Sequence, residues 1–355
     1  MRYSIVLLSL VAIIAATVVP MISAACINNN LVRKEIRQLT PAELTKYINA
    51  VTLARRALPR PGPTQYDTFA RIHAMQGYFI HSGANFLPWH RYYLRQYELL
   101  LQSVINDPTL TVPYWDWTLD YQNPSASVIF TDPYFGGNGG SASCVTNGKL
   151  GQWRPLYNWA GNASAHCLKR SFGEGMSRYP SPATLQTLIS GSATYANLAT
   201  NIEIGPHNLV HSSIGGDMKE AISPNDALFF SHHANVDRLW ANWQDANPTL
   251  AGTYNGKNIT GQRVGLTDIL HGFPGITVSK VMKASTMGYC YSATTASAAA
   301  RSAQTLDDES EEPLPNWPPV SAEFMASKGI DPKVQAEVTA RINNIIDALN
   351  DANGF

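Results

Sequence analysis

Charged residues are scarce in this chain, and neither sign prevails. Only 15% of the 355 residues are charged, and 26 Lys and Arg balance 26 Asp and Glu, so the formal net charge is zero. Proteins that bind nucleic acids usually carry a basic excess or a basic patch, and the sequence shows neither. We therefore expect no nucleic-acid partner.

Long apolar runs are lacking beyond the N-terminus. Residues 1–25 have the three parts of a secretory signal peptide: Arg2, an apolar run over 5–19, and small residues at Ser23-Ala24-Ala25 for cleavage. An uncleaved anchor is the alternative, but this run is short for a membrane span of about 20 residues. We therefore expect a secreted, extracellular protein without a stable membrane anchor.

Cysteine is rare as well, with four residues in the chain. Cysteines of secreted proteins usually form disulfides, and four of them allow three connectivities. We expect Cys144–Cys167 to close a Gly-rich loop and Cys26–Cys290 to join the two ends of the core. Free thiols that bind a metal are the alternative, which an oxidising compartment disfavours.

Apolar residues at helical spacing are abundant, and 45% of the chain is hydrophobic. The spacing predicts helices over seven segments: 40–57, 66–80, 89–106, 182–199, 205–213, 225–244 and 332–350. Gly, Ser, Asn and Pro over 123–164 predict long loops, and 252–291 contains short β-like runs. We therefore predict a mainly α fold with long loops and a few short strands.

Composition divides the chain into segments, with no internal repeat. After the signal peptide at 1–25 we expect a single core domain over 26–291, an acidic and Pro-rich linker over 292–319, and a helical C-terminal tail over 320–355. The acidic run in the linker is typical of a solvated segment. Two N-glycosylation sequons, at Asn162 and Asn258, lie in loop-like sequence. The sequence does not determine the oligomeric state.

Six of the nine histidines fall into two groups. His73, His81 and His90 form the first group, and the last of them follows Pro88 on a predicted helix. Imidazole is the commonest side-chain metal ligand. With no Cys and no nearby Asp or Glu, this group favours zinc, copper, iron or nickel over a hard cation.

The second group contains His207, His211 and His233. His207 and His211 are at i and i+4, hence on one helical face one turn apart. His233 and Asp237 have the same spacing, so we expect the Asp237 carboxylate to accept the far N–H of His233 and fix its orientation.

Two histidine triplets on four helical segments predict two metals held by a central four-helix bundle. Few carboxylates are placed to join them, which argues against the Glu and Glu-x-x-His pattern of di-iron proteins. Nitrogen-only coordination suits copper or zinc. The residues by themselves leave both metals open.

The histidine segments resemble the two signatures of the type-3 copper family, which comprises tyrosinases, catechol oxidases and haemocyanins. Residues 81–98 are similar to the first signature at every defined position, and residues 226–237 to the second. The second departs at Ala227, where the family usually has Pro. Pro113–Trp117 and Tyr289–Tyr291 resemble further landmarks, and the likeness extends over about 40–291.

The resemblance implies a dinuclear copper site in which His73, His81 and His90 bind one ion, and His207, His211 and His233 bind the other. It also implies that O2 and small phenols are the partners. The activity would be oxidation of o-diphenols to o-quinones, and the resemblance leaves open whether monophenols are also hydroxylated. The alternatives are a haemocyanin-like O2 carrier and an o-aminophenol oxidase; a zinc hydrolase fits the signatures less well.

Four further positions take roles from the resemblance. Glu203 and Asn208 would hold a water that deprotonates a monophenol; the alternative for Glu203 is a cap of the following helix or a surface contact. Ala221 would stand at the gate over the first copper and leave it open. His232 would either stack on a substrate ring or be a satisfied neighbour of the ligands. Phe79, two residues before His81, excludes a Cys–His thioether at that position.

Overall fold

The computed structural model describes residues 26, 31–56, 63–158, 161–294, 313–318 and 320–352. The predicted signal peptide, most of the predicted linker and its acidic run lie outside these residues. Within them, no helix combines the length and the apolar character that a bilayer span requires.

Helices dominate the fold, which confirms the predicted class. The helices are α1 (Pro41–Ala54), α2 (Gln65–Ile80), α3 (Phe86–Ile105), α4 (Pro182–Ser190), α5 (Tyr195–Ile202), α6 (Asn208–Ile214), α7 (Leu228–Ala246), α8 (Ala322–Ser327) and α9 (Pro332–Ala352). Two short strands, β1 (Leu31–Arg33) and β2 (Tyr289–Tyr291), form a parallel pair. Single 3-10 turns occupy much of the long loops.

Local sequence explains where the first helices begin. Thr40 and Thr64 are the N-caps of α1 and α2, and each forms a capping box with an acid three residues later, Glu43 or Asp67. Each box satisfies two of the free N–H groups at a helix start. The second of these boxes fixes the start of α2, the helix that carries His73.

The core is rich in aromatic side chains that pack between the histidine-bearing helices. Tyr97 of α3 stacks on Phe230 of α7 with ring centroids 3.4 Å apart, and Tyr66 of α2 meets both rings edge-on. Aromatic pairs of this kind each stabilise by roughly 0.5–1.5 kcal/mol beyond their buried area. The core therefore holds α2, α3 and α7 at fixed distances around the site.

Both predicted disulfides are present. Cys26 bonds to Cys290 within β2, and Cys144 bonds to Cys167 across the long loop. All four cysteines are used, so none is free to bind a metal or to form a thioether.

Three elements differ from the sequence-based expectation. Residues 182–199 form two helices, α4 and α5, because Thr194 caps a new helix start after the chain leaves α4 at Gly191. The β-like runs over 252–291 yield β2 alone among the described residues. The helix expected over 205–213 is preceded by a π-helical turn, Glu203–His207, where Gly205 and Pro206 prevent regular α geometry.

The C-terminal tail packs on the core. Val338, Ile342 and Ile346 of α9 are buried, and the side chain of Ile342 lies against Gly205, where a Cβ would come within 3.1 Å of it. A side chain at residue 205 would therefore require Ile342 of the tail helix to shift by a few tenths of an ångström.

Candidate metal centre

The first histidine triplet converges where α2 ends and α3 begins. His73 lies on α2, His81 is the residue that follows its last turn, and His90 lies on α3. Their ring centroids are 5.2–5.6 Å apart. Each offers one nitrogen to a cluster whose ligand atoms all lie within 4.8 Å of one another, so the three imidazoles can share one ion.

The second triplet converges in the same way from three elements. His207 ends the π-helical turn, His211 lies on α6 and His233 on α7. Their ring centroids are 4.6–5.4 Å apart. All three rings are buried, so His207 and His211 are not a pair on the protein surface.

The two triplets face each other. The rings of His90 and His233 stack with centroids 4.4 Å apart and an interplanar angle of 13°, and His81 lies 6.0 Å from His207. Phe86 and Phe229 close the sides of the cluster, at 4.7 Å from His207 and 4.1 Å from His233 respectively. The arrangement is one dinuclear centre with an apolar wall.

Backbone carbonyls fix the tautomer of five of the six imidazoles. Each of these rings directs Nδ1 at a carbonyl oxygen, at 2.6–3.2 Å. The pairs are His73 with Ala221, His81 with Gly77, His90 with Phe86, His207 with Glu203, and His211 with Met218. A carbonyl only accepts, so Nδ1 carries the proton and Nε2 presents a lone pair to the centre of the cluster.

These lone pairs require a cation. The Nε2 atoms of His73 and His90 face each other at 3.5 Å, and both protons of these neutral rings are already donated to carbonyls. Burial lowers the pKa of all six imidazoles, that of His90 to about 3, so they are not protonated near neutral pH. Two facing acceptors repel unless a metal lies between them, and an all-imidazole set suits copper.

His232 lies behind the second triplet. Its ring stacks on His207 with centroids 5.4 Å apart and an interplanar angle of 20°, and it is fully buried with no hydrogen-bond partner on either nitrogen. Its ligand atom also falls within the 4.8 Å cluster of the second triplet. In this conformation His232 supports the ring of His207 and does not line an open pocket.

The predicted hydrogen bond from His233 to Asp237 is wrong. The Nδ1 of His233 has no partner, whereas the Asp237 carboxylate accepts from Arg91, Tyr289 and Tyr291 at 2.5–2.6 Å. The i+4 spacing places Asp237 on the correct side of α7, but the buried guanidinium and the two phenols of more distant segments engage both of its oxygens.

The remaining expected positions lie around the cluster. Glu203 is buried and accepts the backbone N–H of Ser82 at 2.6 Å, and burial raises the pKa of its carboxyl to about 8. Asn208 is buried with its Oδ1 unpartnered. Ala221 supplies the carbonyl that holds His73, and Ala227 begins α7 with a φ of −64°, which is the angle that Pro would impose.

Sequence analysis missed the tail residues that contact the centre. Ser82 Oγ donates to the carbonyl of Lys328 at 2.8 Å, and Asn208 Nδ2 donates to the Sδ of Met325 at 3.4 Å. The predicted amphipathic helix over 332–350 showed that the tail could pack on an apolar surface. It carried no signal of where that surface is.

Comparisons with known proteins agree with this geometry. The family described as the common central domain of tyrosinase matches residues 63–246. Tyrosinase ustQ of Aspergillus flavus is 37% identical over 289 residues, which are 74% of this chain and 79% of that protein. A tyrosinase of Streptomyces glaucescens is 32% identical over 245 residues, covering 61% of this chain and 84% of its own. A solved structure of a mutant polyphenol oxidase from Thermothelomyces thermophila is 26% identical, with a TM-score of 0.64 over 75% of this chain and 89% of that one.

Proposed function

Because the chain belongs to the tyrosinase family, and so is a dicopper oxidoreductase that acts on phenols with O2, we propose that it oxidises o-diphenols to o-quinones. The observation that carries the proposal is the pair of facing histidine triplets with their lone pairs directed inward. When bound, the two copper ions would supply the electron transfer between O2 and the phenol.

We assign the ligands by triplet: His73, His81 and His90 for one copper, and His207, His211 and His233 for the other. The chain contributes rigid positions for these rings, since helices and carbonyls hold them before any metal binds. His232 is left outside both sets, because the resemblance to the second signature supports His233 as the ligand.

A second activity, hydroxylation of monophenols, is supported by two buried polar groups beside the second triplet. The unpartnered Oδ1 of Asn208 suits an ordered water. Glu203 lies one turn before His207, whose ring its backbone carbonyl holds, and it brings a carboxyl group to the same region. Such a pair can accept the proton of a bound monophenol through a water. Ala221 adds no bulk to the surroundings of His73.

The two disulfides are compatible with a secreted protein, and we propose the extracellular space as its location. Asn162 is exposed in a loop and is the more accessible of the two candidate glycosylation sites. Asn258 is partly buried, and its Oδ1 accepts hydrogen bonds from Thr260 and Gln262.

O2 uptake by the copper-loaded protein tests the proposal, with 4-methylcatechol and then tyramine as substrates. Uptake with 4-methylcatechol is the expected result, and uptake with tyramine in addition would establish the second activity. O2 binding without turnover of either substrate would contradict the proposal and favour an O2 carrier. Faster turnover of 2-aminophenol than of 4-methylcatechol would favour the o-aminophenol oxidase.

A further inference from the structure

Part of the C-terminal tail covers the dinuclear centre. Phe324 and Met325 on α8 are buried, at 1% and 2% exposure. The Met325 thioether meets Asn208, and the backbone of Lys328 is held by Ser82, the residue next to His81. The tail therefore contacts residues beside both triplets and belongs to the surroundings of the substrate.

The histidine rings are not directly accessible from solvent. The most exposed of the six is His81, at 5%. A phenol that reaches them must displace a side chain, and Met325 is suited to move because it is unbranched and has three rotatable side-chain bonds. We infer that the entrance lies on this tail-covered side, where Met325 meets Asn208 and the backbone of Lys328 meets Ser82.

Lys328 is the positively charged group at this entrance. Its ammonium lies 5.2 Å from the ring centroid of Phe324. Burial lowers the pKa of this ammonium to about 8, so it still carries its charge at neutral pH. Part of the residue remains exposed, so an incoming molecule can reach it before it reaches the histidines.

Lys328 has no close counter-ion within the part of the chain that the structure describes. No carboxylate oxygen there lies within 4.0 Å of its Nζ, the limit for an ion pair. Glu203 and Glu220 act on the ammonium only from farther away. The six imidazoles are neutral, so copper ions would add positive charge that the ligands do not cancel. A positive, partly desolvated pocket attracts anions.

We propose that Lys328 binds the carboxylate of the substrate, so that the preferred phenols of this enzyme carry an anionic side group. This inference rests on the proposed oxidation of phenols and adds the substrate class. The carboxylate pairs with the Lys328 ammonium at the entrance, while the ring takes the place of the Met325 side chain next to Asn208.

Steady-state kinetics test the substrate class. The substrates are 3-(3,4-dihydroxyphenyl)propionate, which is anionic, and 4-methylcatechol, which is neutral. Lys328→Met should lower the ratio of kcat/KM for the anionic over the neutral substrate about tenfold, the loss expected of one charge-assisted contact. Lys328→Arg and the control Lys333→Met, on an exposed position of the same tail, should retain the ratio. A ratio that Lys328→Met leaves unchanged would overturn the proposal.

A binding measurement separates this inference from the proposed reaction. Copper-free protein is titrated calorimetrically with 3-phenylpropionate, and with 3-phenyl-1-propanol as its neutral counterpart. We expect the carboxylate to bind more tightly than the alcohol and to lose about tenfold in affinity in Lys328→Met. Equal binding of the two, or an unaltered affinity in the variant, would refute the role of Lys328 even if catechols are oxidised. The expected result without any oxidation would refute the reaction and keep the anion site.

Discussion

At the scale of single residues, the ligands divide by how their orientation is fixed. His81, His90 and His207 donate Nδ1–H to the carbonyl four residues earlier, which their own helical turn provides. His73 and His211 instead use the carbonyls of Ala221 and Met218, which lie on one loop after α6. That loop therefore orients one ligand of each copper.

Removing a ligand should remove one copper. His90→Ala and His233→Ala are each expected to bind about one copper per chain instead of two and to lose nearly all oxidation, because an imidazole lone pair cannot be replaced by a methyl group. Metal analysis of the purified variants measures the stoichiometry. His271→Ala is the control, since His271 stacks on Phe79 outside both triplets; two coppers in either ligand variant would contradict the assignment.

The amide of Asn208 should matter for monophenols more than for diphenols. Asn208→Ala removes the unpartnered Oδ1 that suits a water, while a diphenol needs less help to lose its proton. We expect kcat for tyramine to fall about a hundredfold, the lower end for a lost general-base function, and kcat for 4-methylcatechol to fall less. Oxygen uptake measures both, and equal losses would show that Asn208 only shapes the pocket.

His166 should make stability depend on pH. Its Nε2 pairs with Asp217 at 2.9 Å, and this hydrogen bond raises the pKa of the imidazole in the folded state. A raised pKa stabilises the fold below the unfolded value of about 6.5, and this stabilisation is lost as the pH rises through the folded value. His166→Gln should therefore lower Tm at pH 6 more than at pH 9. Thermal unfolding at both values measures this, and an equal decrease would exclude the ionic contribution.

At the scale of elements, a buried ionic network locks α3 to α7. Arg91 follows His90, Asp237 lies one turn after His233, and the two side chains pair at 2.5 Å. Arg33 of β1 pairs with Glu98 of α3 and lies 3.6 Å from Asp237. Arg91 and Asp237 therefore hold α3 and α7 together close to the stacked rings of His90 and His233.

Breaking this network should be costly. Asp237→Asn leaves two buried guanidinium groups without their shared carboxylate, and we expect the free energy of unfolding to fall by about 3–5 kcal/mol. Urea denaturation measures the change. Lys46→Gln breaks the exposed pair with Asp107 and should change stability little; similar losses in the two variants would show that burial does not govern the network.

At the scale of the whole molecule, the ends of the core are tied together. Strand β1 pairs with β2 in parallel, across most of the chain, and the Cys26–Cys290 disulfide fastens the same junction. Helix α8 of the tail lies beside the dinuclear centre, where Met325 meets Asn208.

The two disulfides should differ in their contribution to stability. Cys26–Cys290 spans 264 residues and Cys144–Cys167 spans 23. Loop-closure entropy assigns about 5.6 kcal/mol to the first and about 3.4 kcal/mol to the second. Denaturant unfolding of the paired Cys→Ser variants measures both, and a larger loss for Cys144→Ser with Cys167→Ser would contradict the entropic account.

The sequence alone determined the helical class and the two histidine triplets, and it favoured the observed disulfides among three possible connectivities. The class and the triplets depend on short-range spacing: apolar residues at helical periods, His207 and His211 one turn apart, and signatures contiguous around His90 and His233. The capping threonines of α1 and α2 are of the same kind, because a helix start depends on a few adjacent residues.

Only the tertiary structure decided what distant segments do at the centre. Asp237 was expected to hold His233 because both lie on one face of α7, yet Arg91 and two tyrosines from β2 engage it. Met325 and Lys328 lie more than ninety residues after His233, the last histidine of the cluster, at positions that no periodicity marks. Packing of the tail on Gly205 brings them there, since contacts between remote segments depend on the shape of the whole core and on no local pattern.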